Sequence, residues 1–321
     1  MSNPQVTSQM NKFEQWLKEG SFARHETFCP RYGWLKKGFD GVFEDHKIFD
    51  REDAIERLGV GKNMVRAIRF WCTAFHVIEP AGGSSAKLSG PMKVTDFGKA
   101  LFADDGWDPF LEDPASLWLL HWQLFMPPIY ATAWSLAINL GLMTPYTLKD
   151  LTQLIIDHKD RFLGSNRYSF SSIAKDASCF IRMYAPPGRQ ISAEIECPFT
   201  HLGLLISSDE KQTFRFNVND KPSLPDAILL ATCLDYAKHT QFSLRTLSFN
   251  RIMYHFNSPG VVFKLSETEV GQRLERAVAD CNGIDFVESF GNRQLTFKKK
   301  PDMLYRKILS LYYEGKGRLG L

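Results

Sequence analysis

The sequence lacks the cysteine patterns and the leader segment that mark several protein classes. Its six cysteines are scattered over 321 residues, and no two have the C-x-x-C spacing of a zinc ribbon or a thioredoxin-like redox pair. The segment from Met1 to Gln15 is polar and has no apolar stretch of the kind found in signal peptides. Scattered thiols without an export signal predict a cytoplasmic protein, because disulfides persist mainly in oxidising compartments.

An excess of charge of one sign is also missing. The chain has 39 Lys and Arg against 36 Asp and Glu, a net charge of +3. A nucleic-acid site would therefore have to come from local clustering of basic residues. The composition, 44% hydrophobic and 23% charged, is that of a globular protein and excludes a disordered tail, a collagen-like repeat and a disulfide miniprotein. The length predicts two domains or three small ones.

No charged residue lies between Asp113 and Lys149. Pro127-Pro128 divides this run into two halves, and each half is shorter than the roughly 20 apolar residues that cross a bilayer. The run therefore predicts two buried helices of a soluble protein.

The spacing of apolar residues predicts a mainly α protein with small β wings, an α+β fold of multi-winged-helix architecture. Three segments are expected. Residues 1–105 would hold an N-terminal aromatic and basic segment followed by a winged helix, and residues 106–185 a helical middle region. Residues 186–321 would form a C-terminal α/β region, with a second winged helix as one alternative.

The strongest local motif is a helix-turn-helix. Asp50 is expected to cap a first helix, and Gly59-Val60-Gly61 to form a tight turn, because glycine tolerates positive φ. A second helix over residues 62–78 would carry its basic residues on one narrow stripe. Paired strands over 77–79 and 92–94 would complete the order of a winged helix.

Such a module can place its second helix in the major groove of DNA while the wing contacts phosphate. An alternative is a protein-interaction or dimerisation module with a solvated charged face. The residues predicted to bind DNA are Lys62, Asn63, Arg66, Arg69, Lys87 and Lys93.

A weaker version of the same order is present near the C-terminus. It consists of a predicted helix over residues 224–238, a strand over 261–265, a helix over 267–281, and paired strands over 285–288 and 293–297. This order leaves a second winged-helix-like unit as one alternative for the C-terminal region.

Residues 22–37 combine charged side chains with aromatic ones. His25 and Glu26 have the chemistry of a base or a metal ligand, and Arg31 or Lys36 that of a group stabilising a phosphate. His25, Glu26 and Arg31 are thus the candidate catalytic residues. The alternative is a structural clasp in which Arg31 pairs with Glu26 while the aromatic rings pack on the core.

A second candidate site is the acidic group Asp40, Glu44 and Asp45 with His46, which could supply oxygen ligands to a divalent ion. The alternative is a solvated acidic loop. The sequence has no D…E-x-K nuclease signature, no phosphate-binding P-loop and no nucleophile elbow. ATP hydrolysis, if needed, would belong to a partner.

Three stretches resemble the SspB family of bacterial DNA phosphorothioation systems. They are R-H-E-T-F-C-P-R-Y-G-W-L-K-K (Arg24–Lys37), L-G-V-G-K-N-M-V-R-A-I-R-F-W (Leu58–Trp71) and D-P-A-S-L-W-L-L-H-W (Asp113–Trp122). The resemblance implies a role beside a cysteine desulfurase, an ATPase and a sulfonucleotide-reductase-like protein. Together these proteins replace a non-bridging phosphate oxygen with sulfur on one DNA strand, as part of antiphage defence.

The resemblance also implies that this chain nicks DNA to give the sulfur-insertion proteins access. Phosphodiester cleavage would need a metal ion or a cationic side chain to stabilise the developing charge, which makes Mg²⁺ or Mn²⁺ a candidate cofactor. Two alternatives stay open. One is a non-catalytic adaptor that binds DNA and recruits the sulfur-transfer proteins. The other is a winged-helix transcriptional regulator.

Overall fold

The computed structural model describes residues 17, 21–82, 89–140, 144–163, 168–186, 197–208, 212–240, 245–279, 281–289 and 291–315. The helices, numbered along the chain, are α1 (Trp34–Glu44), α2 (Ala54–Leu58), α3 (Lys62–Ala74), α4 (Asp96–Phe102), α5 (Pro114–Gln123), α6 (Thr132–Asn139), α7 (Leu148–Leu163), α8 (Phe170–Tyr184), α9 (Asp226–Thr240), α10 (Phe249–Tyr254), α11 (Pro259–Phe263), α12 (Glu267–Ala279) and α13 (Pro301–Glu314). The strands are β1 (Ile78–Pro80), β2 (Met92–Val94), β3 (Leu205–Ser208), β4 (Thr213–Phe216), β5 (Thr246–Ser248), β6 (Ile284–Ser289) and β7 (Asn292–Phe297).

Helices predominate in this part of the chain, and its sheets are small and antiparallel. The predicted α+β class is thus confirmed. The chain forms two compact units, of which the first comprises Met1–Phe110 and Gln123–Phe216 and the second Leu111–Trp122 and Asn217–Leu321. The three-segment division expected from composition follows other boundaries and stays a prediction.

The helix-turn-helix region of the first unit has its elements in the expected order. Gly59 ends α2 with φ +62°, in the left-handed region that glycine adopts without steric cost. Helix α3 buries one face, which includes Ile68 and Trp71. Strands β1 and β2 then pair antiparallel. The assignment of these elements as a winged helix stays a prediction.

Two local expectations in this region are wrong. Asp50 does not cap α2, because Asp53 is at its N-cap and Asp50 lies in a 3-10 turn, Ile48–Asp50. Helix α3 ends at Ala74 rather than at residue 78. The chain turns there through His76, at φ +57°, and so enters β1.

Helix α4 begins with a side-chain cap. The Thr95 hydroxyl accepts a hydrogen bond from the Gly98 N–H at 2.8 Å and lies 2.6 Å from the His76 carbonyl oxygen, to which it donates. A Cβ at position 98 would lie 2.1 Å from the Val77 carbonyl oxygen, so only glycine fits there. The cap thus fixes α4 against the chain that enters β1.

We expect Thr95→Ala to lower the free energy of unfolding by about 1 kcal/mol, because it leaves an N–H at the helix start without its partner. Thr95→Ser is the matched control, since it keeps the hydroxyl. Urea denaturation followed by circular dichroism measures the difference. Equal stability of the alanine and serine variants would show that the cap contributes nothing.

The charge-free run forms the two predicted helices, α5 and α6, on either side of Pro127-Pro128. Both are buried over almost all of their length. Among the described residues, no helix combines the length and the apolar character required for a membrane span.

The second unit contains a three-stranded antiparallel sheet of order β5-β7-β6, flanked in the chain by α9, α12 and α13. The predicted helices over 224–238 and 267–281 and the predicted hairpin are present as α9, α12 and β6–β7.

The predicted strand over 261–265 is wrong. Pro259 begins helix α11 there, and Val262 and Phe263 are fully buried within it. A short apolar run has the same composition in a buried strand and a buried helix, so its pattern could not separate them.

Candidate nucleic-acid interface

The N-terminal end of α3 is an exposed cationic surface. Lys62, Asn63 and Arg66 are all exposed there. The first turn of α3 contains no acidic residue, so the partial positive charge of the helix N-terminus is not offset within the helix. Exposed cations and free N–H groups at a helix start both favour a phosphate.

Arg66 also pairs with Glu26, one of the candidate catalytic residues. Its Nη1 lies 3.6 Å from Oε1 of Glu26, with the two side chains 54% and 32% exposed. A pair this open to water contributes little to stability. Arg66 can therefore exchange Glu26 for a phosphate at small cost.

Arg69 is placed differently. Its side chain is only 15% exposed. It donates to Asp50 Oδ1 at 2.8 Å and to the Gly90 carbonyl oxygen at 2.6 Å, and its guanidinium lies 5.8 Å from the Phe49 ring centre. Arg69 thus joins the 3-10 turn to the chain before β2. This position favours a supporting role for Arg69 behind the surface, in contrast to the direct contact expected from the sequence.

Of the two predicted wing residues, Lys93 lies on β2 and is 48% exposed. Its Nζ is 3.0 Å from Oε1 of Glu79, its cross-strand partner on β1. Lys87 lies outside the described residues. Lys62, Asn63 and Arg66, which are exposed together at the start of α3, are called the cationic surface below.

His25 is not on this surface. It is 1% exposed, and its Nε2 lies 2.5 Å from Oδ1 of Asp176 on α8. The rings of Phe70, Trp71 and Trp134 surround the imidazole at centre distances of 6.0, 6.0 and 5.6 Å. In this conformation His25 does not reach solvent.

Asp176 binds the backbone at Ala23 in addition to the His25 side chain. It accepts hydrogen bonds from the Ala23 N–H at 2.9 and 3.1 Å. Burial raises the pKa of its carboxyl group, an effect that the hydrogen bond with His25 opposes. Asp176 was not predicted from the sequence, where its one signal is that it is an acidic residue on the apolar face of α8, beside Ile173 and Phe180.

Residues 22–33, called the clasp segment below, are held by polar contacts from α3 and α8. Arg182 on α8 donates to the Thr27 carbonyl oxygen at 2.7 Å, and Trp71 Nε1 on α3 donates to the Phe28 carbonyl oxygen at 2.9 Å. The predicted pairing of Arg31 with Glu26 is wrong. The Arg31 guanidinium lies 5.6 and 5.4 Å from the ring centres of Phe28 and Trp34.

The acidic group near His46 does not converge on one point. Asp40 binds Lys36 Nζ at 2.6 Å, and Asp45 pairs with Arg51 and Arg57 at 3.3 and 3.1 Å. His46 contacts the Met92 carbonyl oxygen through Nδ1 at 3.0 Å. Hydrogen bonding from the Lys47 backbone N–H, together with Arg51, lowers the pKa of Asp45.

In the described ranges no three or more His, Cys, Asp or Glu side chains are grouped so that they could hold a metal ion. The structure thus assigns no ligands to a divalent ion within that part of the chain.

The second unit does not repeat the cationic surface on α12, the helix that precedes its β6–β7 hairpin. Arg273 of α12 is 6% exposed and binds Asp220 and Asp226 at 2.8 and 2.9 Å. Arg276 binds Asp226 as well, at 2.7 Å. Both arginines of α12 are thus neutralised by carboxylates of the same unit.

Comparison with known proteins shows what the chain is similar to. Residues 22–313 match a family described as protein of unknown function (DUF4007). An SspB crystal structure is 35% identical with a TM-score of 0.86, covering 94% of this chain and 90% of that one. A magnesium ion-bound SspB crystal structure is also 35% identical, with a TM-score of 0.85, and the match covers 92% and 88% of the two chains. The comparison with curated proteins gave no match.

Proposed function

The chain belongs to the SspB family and to the family described as DUF4007, and from this premise we propose that it is the DNA-binding component of a bacterial DNA phosphorothioate modification system. In this proposal it nicks one strand so that sulfur can be incorporated, and the system serves antiphage defence. The three motifs that resemble the SspB family support the pathway. The cationic surface supports the contact with DNA.

We propose that α2, α3 and the β1–β2 hairpin act as a winged helix. In this arrangement α3 enters the major groove by its N-terminal end, where Lys62, Asn63 and Arg66 are exposed. Asn63 has the donor and acceptor pair that recognises adenine edges, and the two cations suit guanine or phosphate. Lys93 contacts phosphate from the hairpin. The exposed cationic end of α3 is the observation that carries this proposal.

Among the candidate catalytic residues, Glu26 is the one best placed to act on DNA bound at this surface. Its side chain is 32% exposed and is 3.6 Å from Arg66. A carboxylate beside a phosphate-binding arginine can orient a nucleophilic water as a general base. His25 then acts through the fold, by holding the clasp segment that carries Glu26.

A magnesium ion is present in one of the SspB structures. The described residues of this chain offer no cluster of ligands for it, so the proposed steps involve only this chain's own side chains. A plasmid-nicking assay in which each ion is supplied separately tests whether Mg²⁺ or Mn²⁺ is required.

The nicking proposal is tested by conversion of supercoiled plasmid to open circle. We expect purified protein to convert plasmid when Mg²⁺ or Mn²⁺ is supplied. Glu26→Gln should slow conversion by roughly 100-fold, the loss typical of a removed general base. DNA binding by this variant, measured by fluorescence anisotropy, should be unchanged or tighter, because Arg66 loses its competing carboxylate.

Glu275→Gln is the matched control, because Glu275 is an exposed acid on α12. It should nick plasmid at the wild-type rate. If Glu26→Gln also nicked at that rate, Glu26 would have no part in the reaction. Binding without nicking under any supplied ion would contradict the nickase proposal and favour the adaptor.

The adaptor is the second candidate function, and a specific observation favours it. All three candidate catalytic residues have structural partners, namely Asp176 for His25, Arg66 for Glu26 and two aromatic rings for Arg31. An adaptor would bind DNA and recruit the cysteine desulfurase, the ATPase and the sulfonucleotide-reductase-like protein. A transcriptional regulator would instead prefer one operator sequence strongly over random DNA.

A further inference from the structure

Three cysteines that are far apart in the sequence meet in the first unit. Cys29 lies in the clasp segment, Cys179 on α8, and Cys197 just before the 3-10 turn Pro198–Leu202. The Sγ atoms of Cys29 and Cys179 are 3.5 Å apart. The Cys197 thiol is near enough to Cys29 to contribute to lowering its pKa. The fold thus brings together thiols whose spacing in the sequence does not indicate that they are neighbours.

The three thiols differ in access to solvent. Cys29 is partly exposed, whereas Cys179 and Cys197 are buried. Hydrogen bonding with the Cys179 thiol, together with the nearby Cys197 and Arg182, lowers the pKa of Cys29 well below its ordinary value. Burial raises the pKa of Cys179 and of Cys197. The cluster therefore combines one partly exposed cysteine whose pKa is lowered with two buried cysteines whose pKa values are raised.

We propose that Cys29 and Cys179 are an oxidisable dithiol that closes to an intramolecular disulfide with hydrogen peroxide. The Cys29 thiolate attacks one peroxide oxygen, the O–O bond breaks, and hydroxide leaves while Cys29 becomes a sulfenic acid. The Cys179 sulfur then attacks the Cys29 sulfur, and the S–O bond breaks. The sulfenic hydroxyl leaves with the Cys179 proton as water. Overall the two sulfur atoms lose two electrons and form one S–S bond, and one hydrogen peroxide takes up these two electrons and gives one hydroxide and one water.

Hydrogen bonds between α8 and the clasp segment hold the backbone on either side of this dithiol. Asp176 and Arg182, three residues before and after Cys179 on α8, already bind the clasp segment at Ala23, His25 and Thr27. The two sulfur atoms must approach from 3.5 Å to the roughly 2 Å of a disulfide. The resulting bond would fix the clasp segment covalently to α8.

The test is peroxide treatment of the full-length protein, followed by alkylation of the remaining thiols, denaturation and peptide mass spectrometry without reductant. We expect a Cys29–Cys179 crosslinked peptide that disappears on reduction. The number of free thiols should fall by about two from the six of the untreated chain. Cys281→Ser is the matched control, because Cys281 is also a partly exposed free cysteine, and this variant should form the crosslink at the wild-type rate.

Two further variants separate the steps. Cys179→Ser should stop at the sulfenic acid, so that dimedone labels Cys29 and no crosslink forms. Cys29→Ser should leave Cys179 unlabelled. Retention of the Cys29 thiol in the wild-type protein, at a peroxide dose that oxidises Cys281, would overturn the proposal. A Cys29–Cys197 crosslink, or a crosslink between two chains, would overturn the assignment of Cys179 as the partner.

Discussion

His25→Ala is expected to lower the free energy of unfolding by about 3 to 5 kcal/mol, because it leaves the buried Asp176 carboxyl group without its histidine partner. The Asp176 carboxyl group would stay buried. Among the described residues, the Ala23 N–H would then be its remaining hydrogen-bond donor. The loss of the imidazole also removes ring contacts with Phe70, Trp71 and Trp134. Urea denaturation followed by tryptophan fluorescence measures the effect, because two of these contacts are tryptophans.

Asp176→Asn gives the matched comparison. The amide oxygen can still accept from Ala23 and from His25, but the group carries no charge, so no desolvation of a carboxylate is required. We expect this variant to lose much less stability than His25→Ala. His201→Ala, at an exposed position in the same unit, should change the stability by less than about 0.5 kcal/mol.

The penalty of His25→Ala should also depend on pH. Burial raises the pKa of Asp176 above its unfolded value. A carboxyl with a raised folded pKa contributes stability that is present below the unfolded pKa and is lost as the pH rises through the folded pKa. Without His25, which opposes that rise, the folded pKa of Asp176 should increase further. The penalty should therefore be smaller at about pH 5 than at about pH 7. A penalty that is the same at both values would contradict a carboxylate origin.

Local features of the fold were predictable because short-range chemistry determines them. Gly59 marks the turn of the helix-turn-helix because its positive φ suits glycine. The β6–β7 hairpin follows from Gly291, which also has positive φ, between two segments of strand-forming residues. The helix that begins at Asp96 follows from its Thr95 cap. Each of these signals lies within a few residues of the feature that it specifies.

The contacts that organise the candidate site were not predictable, because they join residues far apart in sequence. His25 and Asp176 are 151 positions apart, and Cys29 and Cys179 are 150 apart. The stripe on α3 predicted which residues share a face, and Arg66 is exposed there. It did not predict that Asp50 and the Gly90 carbonyl oxygen would cover Arg69. Helical periodicity places a side chain on a face but does not reveal what packs against it.

The second large effect is expected on DNA affinity. Lys62→Ala combined with Arg66→Ala should weaken binding to a short duplex by roughly one to two orders of magnitude, because two phosphate contacts are lost. The dependence of log affinity on log salt concentration should become shallower by about two. Fluorescence anisotropy over a series of salt concentrations measures both quantities. Arg69→Ala should instead lower stability, because its side chain connects two segments of the fold.

The matched control is Lys149→Ala combined with Lys307→Ala, which removes the same number of positive charges at other places. Both lysines are exposed, the first on α7 and the second on α13. A general effect of net charge would weaken binding equally in the two double variants. A specific interface at α3 predicts that the control keeps the wild-type salt dependence. If Lys62→Ala with Arg66→Ala bound DNA as the wild type does, the contact would have to lie on another surface. The proposal that α3 enters the groove would then be abandoned, whatever the outcome of the nicking assay.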